Sequence, residues 1–156
     1  MREYEHTQPG TFMRAMTGLW VVIFVVGSVV MLALGGQEVA GAVIPGIVML
    51  AVFTAIIVAL FHSLTVRISR SNIAISFGVG LIRKRFPIGD IRSVRIARNR
   101  WYNGWGIRMI RGGWLYNVSG FDAIEIQLKN ERKYRIGTDQ PKKLLAAVES
   151  ALAGPN

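Results

Sequence analysis

A chain of 156 residues with no cysteine has no disulfide framework, thiolate metal site or catalytic thiol open to it. Its net charge of +10 is segregated, with residues 1–61 summing to −1 and residues 62–156 to +11, so the excess belongs to the part that follows two long uncharged runs. Such an excess suits anionic lipid, nucleic acid or an acidic protein surface, and beside a membrane it also arises from retention of basic residues on the cytoplasmic side.

Residues 1–15 form an N-terminal segment whose polar start, Met1 to Thr11, is punctuated by Pro9-Gly10 and reads as a flexible lead-in. Residues 16–61 hold the two uncharged runs. As a helix the first, Met16 to Leu34, is about 28 Å long, close to the hydrocarbon thickness of a bilayer. The second, Ala42 to Phe61, is equally free of charge, and Gly35 to Gly41 between them has room only for a tight reversal. The pattern predicts a transmembrane helical hairpin. The connecting loop has no Lys or Arg, whereas Arg2 and Arg14 precede the first run and Arg67, Arg70 and Arg83 follow the second, which places both termini in the cytoplasm. Ala40-Gly41-Ala42 mimics a signal-peptide cleavage site, but the preceding run is too long and a second follows at once. Ala51, Ala55 and Ala59 make a small-residue stripe, which is either the seam of the hairpin or the ordinary abundance of alanine in spans.

From Leu64 the hydrophobic period changes to two, marking the start of a soluble domain over residues 62–156. Leu64, Val66 and Ile68 alternate with polar residues, and Ile73, Ile75 and Phe77 repeat the pattern after a turn. Leu81 to Phe86, interrupted by Arg83, Lys84 and Arg85, reads as an edge strand. Ile91 to Arg98 is a fourth strand, Asn99 to Gly113 is irregular, and Trp114 to Val118, Ala123 to Leu128 and Tyr134 to Thr138 supply three more. Asp139 as cap, Pro141 in the first turn and Leu144, Leu145, Val148 and Leu152 on one face predict a C-terminal helix covering one opening of a small barrel or sandwich.

Catalytic constellations are not assembled. With His6 and His62 the only histidines, a Ser-His-Asp triad and a multi-histidine metal site lack their parts. Gly78-Val79-Gly80 and Gly104-Trp105-Gly106 do not join a strand to a helix as phosphate loops do. The expectation is therefore a non-enzyme with no cofactor and no metal. The informative stretch is Arg98 to Gly120, where Trp101, Tyr102, Trp105 and Trp114 with Arg98, Arg100, Arg108 and Arg111 make a candidate interfacial patch. The tryptophans suit either that patch or the core, with Trp101 and Trp105 evenly placed between them and the core favoured for Trp114. No helix-turn-helix, zinc module or aromatic RNA-binding strand is present, so nucleic acid is not an expected partner.

Two spans, seven short strands and a terminal helix resemble the bacterial membrane-anchored pleckstrin-homology-like (PH-like) domain proteins. Ile88-Gly89-Asp90-Ile91-Arg92-Ser93-Val94 is similar to the segment leading into that family's central strand. Trp105-Gly106-Ile107-Arg108, Gly120 to Ile126 and Arg135 to Asp139 are similar to its later strands and the start of its helix. The resemblance implies an α+β membrane protein of the bacterial cytoplasmic membrane. Its soluble part would be a PH-like β-barrel of about seven antiparallel strands closed by a C-terminal helix, and the resemblance implies no fixed ligand. The expected function is a non-catalytic binding or scaffolding module facing the cytoplasm, integral to the bilayer, with a protein partner or a second copy of itself. The alternative is a sensor of anionic lipid headgroups acting through Arg83, Lys84, Arg85, Arg98, Arg100, Trp101, Trp105, Arg108 and Arg111.

Overall fold

The computed structural model describes residues 4–154, excepting the side chains of 36–40 and 42. It is an α+β protein with two long apolar helical arms and two β-sheets. The described residues begin with a strand where the sequence suggested a flexible lead-in. β1 (Tyr4–Pro9) pairs antiparallel with β2 (Ser63–Ile68), in register from Tyr4 opposite Ile68 to Pro9 opposite Ser63. Everything from Gly10 to His62 is thus a single excursion between neighbouring strands.

That excursion is the helical segment α1 (Thr11–Phe61), which returns to its origin, since the Gly10 N–H donates to the His62 carbonyl at 2.7 Å. Its arms, Thr11–Gly35 and Val43–Phe61, are each long and apolar enough to cross a membrane, and their side chains have almost no protein cover. Apolar helices left so bare are compatible with membrane insertion and do not have the burial of a soluble core helix. The least exposed positions, Thr17, Val21, Ser28 and Leu32 on one arm and Gly46, Leu50, Thr54 and Ile57 on the other, recur at helical spacing. Ala51 and Ala55 are exposed, so the alanine stripe is not the seam. Instead a Cβ added to Gly46 would meet the Phe24 ring at 3.7 Å. A non-helical turn expected at 35–41 is not seen, since the backbone there is helical and belongs to the same segment, Thr11–Phe61.

β1, β2, β3 (Asn72–Phe77) and β4 (Ile82–Pro87) form one antiparallel meander. A short 3-10 turn, Ile88–Asp90, leads to the second sheet. This contains β5 (Ile91–Arg98), β6 (Gly106–Ile110), β7 (Gly113–Asn117), β8 (Asp122–Leu128) and β9 (Lys133–Gly137) in the order β5-β8-β9-β7-β6. The sheets face each other without closing into a barrel, and nine strands, not seven, lie among the described residues. Nor are all pairs antiparallel, because β7 runs parallel to β9. Gly113 makes that contact sterically possible, since a Cβ there would sit 1.5 Å from the Lys133 carbonyl oxygen.

Alternation on β2, β3, β8 and β9 sends Leu64, Val66, Ile73, Ile75, Phe77, Ile124, Ile126 and Ile136 into one cluster between the sheets. α2 (Pro141–Leu152) adds Leu144 and Val148 and covers the opening beside β2, β5 and β8. Pro141 occupies its first turn as expected. The preceding Asp139 does not cap it, however, and accepts instead from His6 Nε2 at 2.5 Å, tying β1 to the start of α2.

Because β1 supplies the edge partner of β2, residues 62–156 alone leave β2 as a bare edge strand. Replacing Gly10–His62 by Asn-Gly, a two-residue turn that suits the Pro9–Ser63 register, should give a monomeric domain with a cooperative melt. The 62–156 fragment should aggregate or melt lower. Gel filtration and circular dichroism compare the two directly.

Candidate functional site

α2 closes one opening of the two-sheet sandwich, and the opposite one, between β4 and the β6–β7 hairpin, stays uncovered. It is a cleft of about 410 Å³ with an apolar floor of Ile75, Phe77, Ile107, Tyr116 and Tyr134. Its rim carries Ile82, Trp114 and three cations, Arg83, Lys84 and Arg132, with no carboxylate among its lining residues. Its aromatic residues pack on one another and on the core. The Tyr134 ring lies 4.8 Å from Phe86 and stacks at 6.4 Å on Tyr116, which in turn is 6.2 Å from Phe77. Burial, and then the neighbouring Tyr134, push the Tyr116 phenol above its ordinary value, so it remains a neutral hydroxyl at physiological pH.

Strand alternation explains the cationic rim. On β4 the residues Ile82, Lys84 and Phe86 share a face, and Phe86 is buried in the core, so Lys84 stands at the cleft side of the sheet. Arg85 points the other way, into a polar basin on the outer face with Thr65, Arg67 and Ser76. Arg83 borders both depressions, and its Nε donates to the Gly80 carbonyl at 2.5 Å. β4 pairs only with β3, so its other side is a free sheet edge lying along the cleft.

The remaining residues of the sequence-derived patch are dispersed. Arg98, Arg100 and Trp101 lie where β5 ends and the next loop begins. Trp101 is 77% exposed, and Arg100 donates to the Tyr102 hydroxyl at 2.8 Å. Trp105 packs on the helical hairpin, stacked 3.5 Å from Phe12 and 5.9 Å from Phe121. Arg108 on β6 donates to the Trp105 carbonyl at 3.1 Å, and Arg111 sits in the β6–β7 turn at the far end of the same strand. Trp114, read as core, is 40% exposed on the cleft rim. Sequence reading missed Arg132, Tyr116 and Tyr134 as cleft residues. Their signal was the alternation Trp114/Tyr116 and Tyr134/Ile136, which places aromatics on the inner face of neighbouring strands.

Behind the cleft, on the outer face of the second sheet, Glu125 is 4% exposed between two arginines on the flanking strands. Arg95 donates to one carboxylate oxygen from Nε at 3.0 Å and Nη2 at 2.5 Å, and Arg135 donates to the other at 2.7 Å. Burial raises the carboxyl pKa, but the hydrogen bonds and charges of Arg135 and Arg95 outweigh it, so the carboxyl sits below its ordinary value. Among the described residues no group of three or more His, Asp or Glu is placed to hold a metal ion.

Comparisons of the chain with protein-family models, with curated proteins and with solved structures find no match.

With its pKa depressed on folding, Glu125 contributes stability that is present above the unfolded carboxyl pKa and lost as pH falls through the lower folded value. Glu125→Gln should therefore cost about 1–3 kcal/mol at neutral pH, with the deficit shrinking as the medium is acidified. Denaturant melts of both proteins across acidic pH measure it.

Proposed function

We propose that this chain is a membrane-anchored, cytoplasm-facing binding module of PH-like type, non-catalytic, whose cleft beside β4 takes an acidic, extended segment of a partner protein. The observation that carries the proposal is the joint presence of an apolar floor, a rim whose charged residues are all cationic and a free strand edge in one place. A strand laid along β4 gains main-chain pairing from the edge. It gains specificity from alternate side chains, apolar ones entering over Tyr116 and Tyr134 and acidic ones meeting Lys84, Arg83 and Arg132.

What supports the PH-like reading is the connectivity. β1–β4 form one meander and β5, β8 and β9 another, followed by α2, with the helical hairpin and the β6–β7 hairpin as insertions. Seven strands and a helix remain once those insertions are set aside. A different protein is favoured over a second copy, because the sequence after residue 61 carries a net +11 and two such domains repel. The headgroup-sensing alternative calls for its basic and aromatic residues to act together. Its residues are spread over several elements, with Arg85 on the outer face of β4, Lys84 in the cleft, Arg98 at the end of β5 and Arg111 in the β6–β7 turn.

Selection of displayed peptides against the full-length chain in lipid nanodiscs tests the proposal. The expected winners are extended sequences mixing apolar and acidic residues, and Lys84→Glu with Arg132→Glu should weaken them at least tenfold, about 1.4 kcal/mol. Failure to enrich acidic sequences, or binding untouched by the double reversal, contradicts it.

A further inference from the structure

The hairpin and the sheets are joined at more than the two strand ends. Three loops of the domain reach the base of the hairpin and bond to it. From the β3–β4 turn, Val79 N–H donates to the Ala59 carbonyl at 3.1 Å. This requires Gly78 at φ +48°, because a Cβ there would lie 1.9 Å from the same carbonyl oxygen. From the β5–β6 loop, Trp105 stacks on Phe12. From the β7–β8 loop, the Ser119 hydroxyl bonds Thr11 Oγ1 at 2.8 Å and its carbonyl accepts from Gln8 Nε2 at 2.9 Å.

These same three loops carry five of the exposed large apolar side chains of the domain, Val79 and Leu81 on the first, Trp101 and Tyr102 on the second, and Phe121 on the third. Scattered exposed apolar residues need no explanation. Five gathered on loops bonded to the base of two bare apolar helices do, particularly with Arg98 and Arg100 beside the aromatic pair.

We infer that these loops form a collar seated in the phospholipid surface around the hairpin, so that the domain is held against the bilayer in one orientation instead of swinging on a tether. Val79, Leu81, Trp101 and Phe121 enter the boundary between headgroups and acyl chains, where aromatic residues are favoured, while Arg98 and Arg100 meet lipid phosphates. The seat is permanent, being built from covalently attached loops, and is distinct from recognition of a soluble partner in the cleft. It rests on the reading that the hairpin spans a membrane.

The absence of cysteine lets single nitroxide labels be placed without background. Labels at Leu81→Cys, Trp101→Cys and Tyr102→Cys report the collar, Val52→Cys the hairpin, and Asn130→Cys the β8–β9 turn. The full-length chain is placed in nanodiscs of phosphatidylcholine and phosphatidylglycerol, and collision with oxygen is compared with collision with a water-soluble nickel chelate. The collar labels should show an oxygen preference several-fold above that of Asn130, in the same direction as Val52. Should all three match Asn130 while Val52 reports lipid, the seat is wrong and the spanning hairpin stands. If Val52 also reports water, the spanning reading fails and takes the seat with it.

Discussion

Two backbone hydrogen bonds at the base of the hairpin govern the rest of the molecule. Gly10 N–H to the His62 carbonyl closes a 53-residue excursion, Gly10–His62, into what is topologically the loop of a β-hairpin. Val79 N–H to the Ala59 carbonyl then fills an acceptor that a helix end otherwise leaves orphaned. Both bonds demand close backbone approach, and the sequence provides it with glycine. A Cβ at Gly10 would come within 2.5 Å of the Phe61 carbonyl oxygen, and Gly78 combines a 1.9 Å clash with a left-handed conformation. The base of the helical arms is thus hydrogen-bonded to the first sheet at two points, beside β1 and at the β3–β4 turn.

This coupling gives the cleft a defined position. α2 and β1 occupy one side of the sandwich, locked by His6 to Asp139, so the opening beside β4 is the side left for a ligand. Membrane anchoring and electrostatics then act together in the proposed function. In that proposal anionic lipid and acidic partner segments compete for the cationic rim, and a segment prevails only when it also fills the apolar floor over Tyr116 and Tyr134. Selectivity thus comes from the floor and approach from the charge.

The hairpin arms and most strands were legible because their patterns are unambiguous. Leu64-Val66-Ile68 and Ile73-Ile75-Phe77 alternate cleanly, and the uncharged runs admit little besides bare helices. β1 was not legible, since Tyr4–Pro9 has no apolar alternation and Gln8 is its one buried member. That strand is held by ladder pairing and side-chain pairs, Glu5 to Arg67 and Thr7 to Thr65, with Tyr4 its one large side chain packed against the core. β6 was hidden by Arg108 and its flanking glycines, although Arg111-Gly112, with Gly112 at φ +86°, is a two-residue turn that signals a hairpin with β7. Closure into a barrel failed because the β6–β7 hairpin extends the second sheet past β9, a parallel contact that nothing local in the sequence announces. Of the candidate site, Lys84 and Arg83 were found by charge, whereas Arg132 and the two tyrosines depend on which strands become neighbours.

How firmly the hairpin base is joined to the sheet is measured residue by residue by amide hydrogen exchange of the full-length chain in nanodiscs. Protection of Gly10 and Val79 comparable to that of Ile75 in the middle of β3 is the predicted result. Exchange at those two amides as fast as in the Lys129–Arg132 turn, with β3 still protected, would contradict it and return the domain to a free tether.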